Sequence, residues 1–174
     1  IKCKTGLDPV RDVELVKQLR TRFGDELKIR VDGNEGYANV WEAIDVTRRQ
    51  EEYGILLCEQ PVMGARDLGI IAERIQSPVM ADESAWTVDD IIELNEYKAA
   101  ACISLYVTKP GGLYRAKQVG DLAKTFGMYC DIGGSIEMGI GNAANLHLGA
   151  ATVIELGGCS TGQPEVTFRM WLYR

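Results

Sequence analysis

The chain has 174 residues, 46% of them hydrophobic and 25% charged, which is enough apolar material for one sizeable core and too much for a disordered tail. Its 25 acidic residues outnumber 19 basic ones, for a formal net charge of −6; no basic block interrupts the sequence, so nucleic acid is excluded as an expected partner. No apolar run approaches the ~20 residues that span a bilayer, and Ile1-Lys2-Cys3-Lys4 offers no apolar signal region, so the expectation is a soluble, cytoplasmic protein with no membrane partner.

Taken in chain order, short β-branched runs alternate with longer amphipathic stretches, without a Pro/Ser-rich linker. Strands are expected over 1–4, 28–33, 55–60, 78–83, 102–107, 129–133 and, less distinctly, 152–156, with helices between them. Asp8-Pro9 supplies an N-cap and a first-turn proline, after which Val10, Val13, Val16 and Leu19 recur on one face until Phe23-Gly24. Thr87-Val88-Asp89-Asp90 opens a later helix in a capping-box-like pattern that carries Ile91, Ile92 and Leu94. The five cysteines (Cys3, Cys58, Cys102, Cys130, Cys159) have no C-x-x-C spacing, and four fall in strand-like runs, which reads as reduced core thiols. His147, the sole histidine, stands in a small-residue helix pattern and reads as structural.

Strands joined by helices force parallel pairing and leave a doubly wound sheet or a (β/α) barrel. The polar residues favour the barrel, because strand after strand ends in an ionisable group: Lys2 and Lys4, then Asp32, Glu59 and Asp82. Alternation puts Lys2 and Lys4 on one strand face with Cys3 opposite, and Arg30 on the face of Asp32. A single acidic residue at a strand end often only caps the next helix or meets solvent; three at the period of the fold converge instead on a barrel mouth. Such carboxylates need compensation, and oxygen-only ligation points to Mg²⁺, with Mn²⁺ as a substitute. Asn34, Gln60 and Glu83 stand next to these ligands as candidates to orient them.

Lys2-Cys3-Lys4, Val31-Asp32-Gly33-Asn34, Glu59-Gln60-Pro61, Ala81-Asp82-Glu83-Ser84 and Lys109-Pro110-Gly111-Gly112-Leu113, in that order and spacing, resemble motifs of the enolase superfamily, nearest to its muconate-lactonizing branch. The resemblance runs from residue 1 to about 160. It implies Mg²⁺-assisted removal of the proton α to a carboxylate through an enediolate, on a small carboxylic acid. It also implies Asp32, Glu59 and Asp82 as metal ligands, Lys4 as the base, Lys2 as its companion, Lys109 at the turn and Glu137 near the site. A lysine of ordinary pKa about 10.4 must be lowered to serve as a base; a second ammonium, burial and a nearby cation all act in that direction.

Two departures from the family pattern follow. Where the branch carries a second lysine, three residues before the turn lysine, this sequence has Tyr106. A phenol of pKa about 10 donates a proton more readily than it takes one near neutrality. Two-base racemisation is therefore not expected, and β-elimination (dehydratase, lyase) or cycloisomerisation is; Tyr106 is equally readable as a packed core aromatic. A complete barrel needs about 250 residues. The resemblance also implies an N-terminal capping domain, so the expected fold is α/β, an incomplete parallel (β/α) barrel of TIM type with about seven strands, lacking the first strand and the N-terminal cap. Residues 1–160 would form this domain and 161–174 a divergent tail, a candidate interface segment. The initial isoleucine fits a boundary of processing, cloning or gene truncation. Open barrel edges invite pairing, so a homo-oligomer is expected, and the rival reading is a truncated, non-catalytic relative serving as an oligomeric scaffold. Gly139-Ile140-Gly141-Asn142-Ala143-Ala144 matches a dinucleotide pattern only loosely, and Asp32-Gly33-Asn34-Glu35-Gly36-Tyr37 fails as an EF-hand loop because its sixth position is not glycine.

Overall fold

A computed structural model describes residues 1–152. Six strands alternate with six helices: β1 (Lys2–Lys4), α1 (Pro9–Phe23), β2 (Arg30–Asp32), α2 (Val40–Glu51), β3 (Cys58–Glu59), α3 (Ala65–Ala72), β4 (Val79–Ala81), α4 (Val88–Glu96), β5 (Cys102–Leu105), α5 (Leu113–Thr125), β6 (Tyr129–Ile132) and α6 (Gly139–Ala151). The strands pair in sequence order, all parallel. The expected seventh strand lies, apart from Thr152, outside the described residues, as do Cys159 and the 161–174 tail.

Local chemistry starts and stops the helices as the residues suggest. The Asp8 carboxylate accepts from the amides of Val10 and Arg11, Asn39 does the same for α2, and Thr87 with Asp90 forms a complete capping box on α4. Gly24 ends α1 at φ 70°. Along α1, Val13 and Val16 are buried, whereas Val10 is 69% exposed and lies off the buried stripe. Ile91 and Leu94 of α4 are buried, whereas Ile92 stays 42% exposed.

Strand alternation separates two environments. Cys3, Val31, Cys58, Val79, Ile103 and Cys130 face the helices in the main core. The register Lys4↔Asp32, Asp32↔Glu59, Glu59↔Met80, Met80↔Cys102 lines up the opposite, inner face, on which Leu57, Met80 and Cys102 form a small apolar cluster. Arg30 of β2 pairs with Asp131 of β6. In a flat sheet those strands would stand about 19 Å apart, so this contact requires the sheet to curl until β2 and β6 face each other. The result is an unclosed, partial TIM-type barrel.

Cys3, Cys58 and Cys130 are buried free thiols, and Cys102 is buried with its Sγ directed at the Val79 carbonyl. Burial pushes the Cys58 and Cys130 thiols up to about 12, so they stay protonated near neutrality. His147 lies on the exposed side of α6, and residues 139–144, the loose dinucleotide pattern, lie inside that helix. No described helix is long and apolar enough to cross a membrane.

The loops after β1 and β2, which deliver Lys4 and Asp32, are packed backbone to backbone. Gly6 has φ 83°, and a Cβ there would sit 2.2 Å from the Gly33 carbonyl oxygen. Gly6→Ala is therefore expected to cost roughly 3 kcal/mol through strain and clash together, lowering Tm by about 6–12 °C in a thermal melt; an unchanged Tm would show that these loops do not pack this way.

Candidate active site

Along the inner face of β1 and at the C-terminal ends of β2 and β3, two lysines and two carboxylates form one ion-pair network. The Lys2 ammonium bridges Asp32 Oδ2 at 2.9 Å and Glu59 Oε1 at 2.8 Å, and Lys4 Nζ reaches the same Asp32 oxygen at 2.6 Å. The two carboxylate side chains are almost completely buried, at 0% and 1% exposure, because strand alternation turns them to the inner face. Asn34, at φ 42°, donates its amide N–H to Asp32 Oδ1, accepts from Lys4 on its side-chain oxygen, and donates its side-chain nitrogen to Glu83 Oε1.

Burial works against the charge on Lys2, but the adjacent Glu59 and Asp32 carboxylates outweigh it and hold its pKa above the ordinary lysine range. Its nearest neighbours are anions, so Lys2 stays a firmly charged companion ammonium. Burial likewise disfavours the Asp32 anion, yet Lys2 and Lys4 keep that carboxyl below its usual value. At Glu59 burial prevails, with the Asp32 charge adding to it, and the pKa is raised despite Lys2 and Arg30. Two neighbouring carboxylates are thereby pushed apart, a pattern common in functional sites.

Asp82 stands one residue past β4, on the inner face two positions beyond Met80. Its Oδ1 lies 2.6 Å from Lys109 Nζ but out of line for a hydrogen bond, so that oxygen is buried without a hydrogen-bond partner. The well-aligned bonds of Lys109 go to the main-chain carbonyls of Asp82 (2.6 Å) and Ser104 (2.7 Å). The ammonium also lies 4.3 Å from the centre of the Tyr106 ring. Its burial outweighs the attraction of Asp82 and lowers its pKa. Tyr106 faces Asp82 and Ser135; burial first, then the Asp82 charge, raises its phenol well above the ordinary value. Gly133 makes room for that ring, since a Cβ there would lie 2.8 Å from Tyr106 Cδ1.

The structure therefore brings Lys2, Lys4, Asp32, Glu59 and Asn34 together, and sets Asp82, Lys109 and Tyr106 in a second group joined to the first through Asn34 and Glu83. Glu137 accepts from the Ser135 amide at 2.7 Å and from Thr108, and its hydrogen bonds do not extend to either group of carboxylates. Among the described residues, no three His, Cys, Asp or Glu side chains are gathered closely enough to hold a metal ion, because ammonium groups stand between or beside the carboxylates. The donor set nonetheless has the character a hard divalent cation requires, all oxygen, with Glu59 Oε2 buried without a hydrogen-bond partner and Asp82 Oδ1 buried beside the Lys109 ammonium. Sequence reasoning missed Asp131, the inner-face partner of Arg30. Its signal was a carboxylate inside an otherwise apolar strand, Tyr129-Cys130-Asp131-Ile132.

A curled parallel βα array with carboxylates and lysines at its C-terminal strand ends defines a barrel-mouth site. The family model described as "Enolase C-terminal domain-like" matches residues 1–166, and the chain belongs to that family, within the muconate-lactonizing-like branch of the enolase superfamily. It is 33% identical over 166 residues to L-Ala-D/L-Glu epimerase of Clostridium acetobutylicum, covering 91% of this chain and 46% of that protein. It is 37% identical over 154 residues to muconate cycloisomerase 1 of Rhodococcus opacus, covering 86% and 41%. Dipeptide epimerase from Enterococcus faecalis V583, in a crystal structure complexed with Mg and dipeptide L-Leu-L-Tyr, superposes with a TM-score of 0.83 at 30% identity, over 87% of this chain and 44% of that one. The chain spans less than half the length of these relatives.

Proposed function

We propose that this chain carries the metal-binding and proton-transfer residues for Mg²⁺-dependent removal of the proton α to the carboxylate of a small acid, with Mn²⁺ able to substitute. The observation that carries this reading is the single network joining Lys2, Lys4, Asp32 and Glu59 at the strand ends. Asp32, Glu59 and Asp82 would hold the cation, which when bound supplies Lewis-acid stabilisation of the charge gathering on the substrate carboxylate. Lys4, the more exposed lysine at 60% against 31% for Lys2, reaches toward the mouth and takes the proton. Lys2 holds Asp32 and Glu59 in place and adds positive charge beside Lys4. Asn34 and Glu83 orient the group from the β2 and β4 loops.

Relatives of this family are epimerases, racemases and cycloisomerases, which supports α-proton chemistry and does not favour a non-catalytic scaffold. Tyr106 narrows the class. Burial keeps its phenol protonated, so it offers no base near neutrality, and chemistry started by Lys4 alone ends in elimination or cycloisomerisation. In D₂O with Mg²⁺, NMR on paired enantiomers of N-acylamino acids, dipeptides and hydroxy acids is expected to show α-deuterium entering one enantiomer of an accepted acid, with configuration kept or a leaving group lost. Exchange of both enantiomers with racemisation would overturn the one-base reading, and no exchange across the panel would overturn the proposal as a whole.

A further inference from the structure

We infer that Gln60 is the positioning residue that holds Glu59 and Asp82 in register, an inference resting on the metal-dependent reading above. Gln60 is fully buried, at 0% exposure, directly follows Glu59, and spends every hydrogen-bonding capacity of its amide. Its Oε1 accepts from the backbone N–H groups of Asp82 (2.8 Å) and Ser84 (3.1 Å). Its Nε2 donates to the Val62 carbonyl (2.8 Å) and to Ser84 Oγ (2.7 Å). Its own backbone N–H reaches the Met80 carbonyl at 2.9 Å, and its carbonyl accepts from Glu35 N at 2.8 Å. One side chain and its peptide groups therefore tie together the loops that follow β2, β3 and β4, each of which adjoins one of the three carboxylates.

The backbone at Gln60 is strained in a way that only such a set of contacts sustains. Its φ is 36°, in the left-handed region that residues with a Cβ avoid, and the next residue is Pro61, which pushes its predecessor toward extended conformations. Strain of this kind persists where surrounding contacts over-determine it, and it clusters at functional sites. Space for the turn comes from Gly33, whose missing Cβ would lie 2.8 Å from Pro61 Cα. The geometry trades local backbone comfort for a fixed offset between Glu59 and the Asp82 loop.

The test compares Gln60→Met, Ser84→Ala and Gln50→Met by Mn²⁺ titration, amide hydrogen exchange and thermal melts. Gln50 is equally buried but bonds to the Asp12 carbonyl on α1, so its loss is expected to lower Tm and leave Mn²⁺ affinity unchanged. Gln60→Met is expected to weaken Mn²⁺ binding by about 10–100-fold, the range for losing a group that orients a ligand, and to speed exchange of the Asp82 and Ser84 amides at least tenfold. Ser84→Ala, which removes one partner of the amide, gives smaller changes in the same direction and serves as the variant if Gln60→Met does not fold. A folded Gln60→Met, or failing that Ser84→Ala, with wild-type affinity and wild-type protection at residues 82 and 84 would overturn the inference. A wild-type protein that binds no Mn²⁺ would instead overturn the functional reading, and the exchange rates at 82 and 84 would then decide the role of Gln60 alone.

Discussion

Asp32→Asn is expected to abolish divalent-cation binding and α-proton exchange together while leaving the protein folded. Asp32 is the hub of the network, fully buried and bonded to Lys2, Lys4 and the Asn34 amide. Asparagine keeps its shape and removes its charge, so two ammonium groups then face a neutral amide and repel an incoming cation. Losing a ligand itself must exceed the ~10–100-fold penalty for losing a ligand's neighbour, so the Mn²⁺ dissociation constant should rise more than 100-fold in calorimetry, with exchange falling below detection. Wild-type affinity in Asp32→Asn would remove this carboxylate from the ligand set.

Lys4→Met and Lys2→Met are expected to separate chemistry from architecture. Lys4 touches one carboxylate from an exposed position; its loss should cut exchange by the ~10²–10⁴-fold attributed to a general base, with Mn²⁺ affinity and Tm little changed. Lys2 compensates two carboxylates that are themselves shut away from water. Removing it leaves Glu59, already the reluctant anion of the pair, without its main cation. Breaking such a pair costs about 2–4 kcal/mol here, discounted from the fully buried case because Lys2 is partly solvated, and Tm should fall by about 4–16 °C. Equal effects of the two variants on Tm and on exchange would refute this division of labour.

Most of this arrangement was legible in the sequence because it depends on two periodicities. Strand alternation predicts that Lys2 and Lys4 share a face, and both meet Asp32; the βα period predicts that Asp32 and Glu59 converge, and one ammonium joins them. Caps at Asp8 and Thr87 were readable because their mechanism is local. What was not legible depends on curvature and on long side chains. Only the bending of the sheet brings Arg30 to Asp131, and no spacing rule anticipates a contact across four strands. Nor does the sequence say that Lys2 bridges two carboxylates, which is what raises its pKa. Lys109 read as a turn residue, yet its side chain threads back to the Asp82 and Ser104 carbonyls. Gln60 read as a candidate to orient the adjoining ligands, but its left-handed backbone and four amide bonds emerge only when three loops are assembled.

Everything proposed for this site depends on Asp32, Glu59 and Asp82 sharing one cation, and anomalous diffraction from crystals of the protein grown with Mn²⁺ tests that most directly. The account predicts one Mn²⁺ bonded to an oxygen of each carboxylate, with Lys2 moved off the line between Asp32 and Glu59. Mn²⁺ bound elsewhere, or a Lys2 bridge unchanged at saturating Mn²⁺, would contradict it.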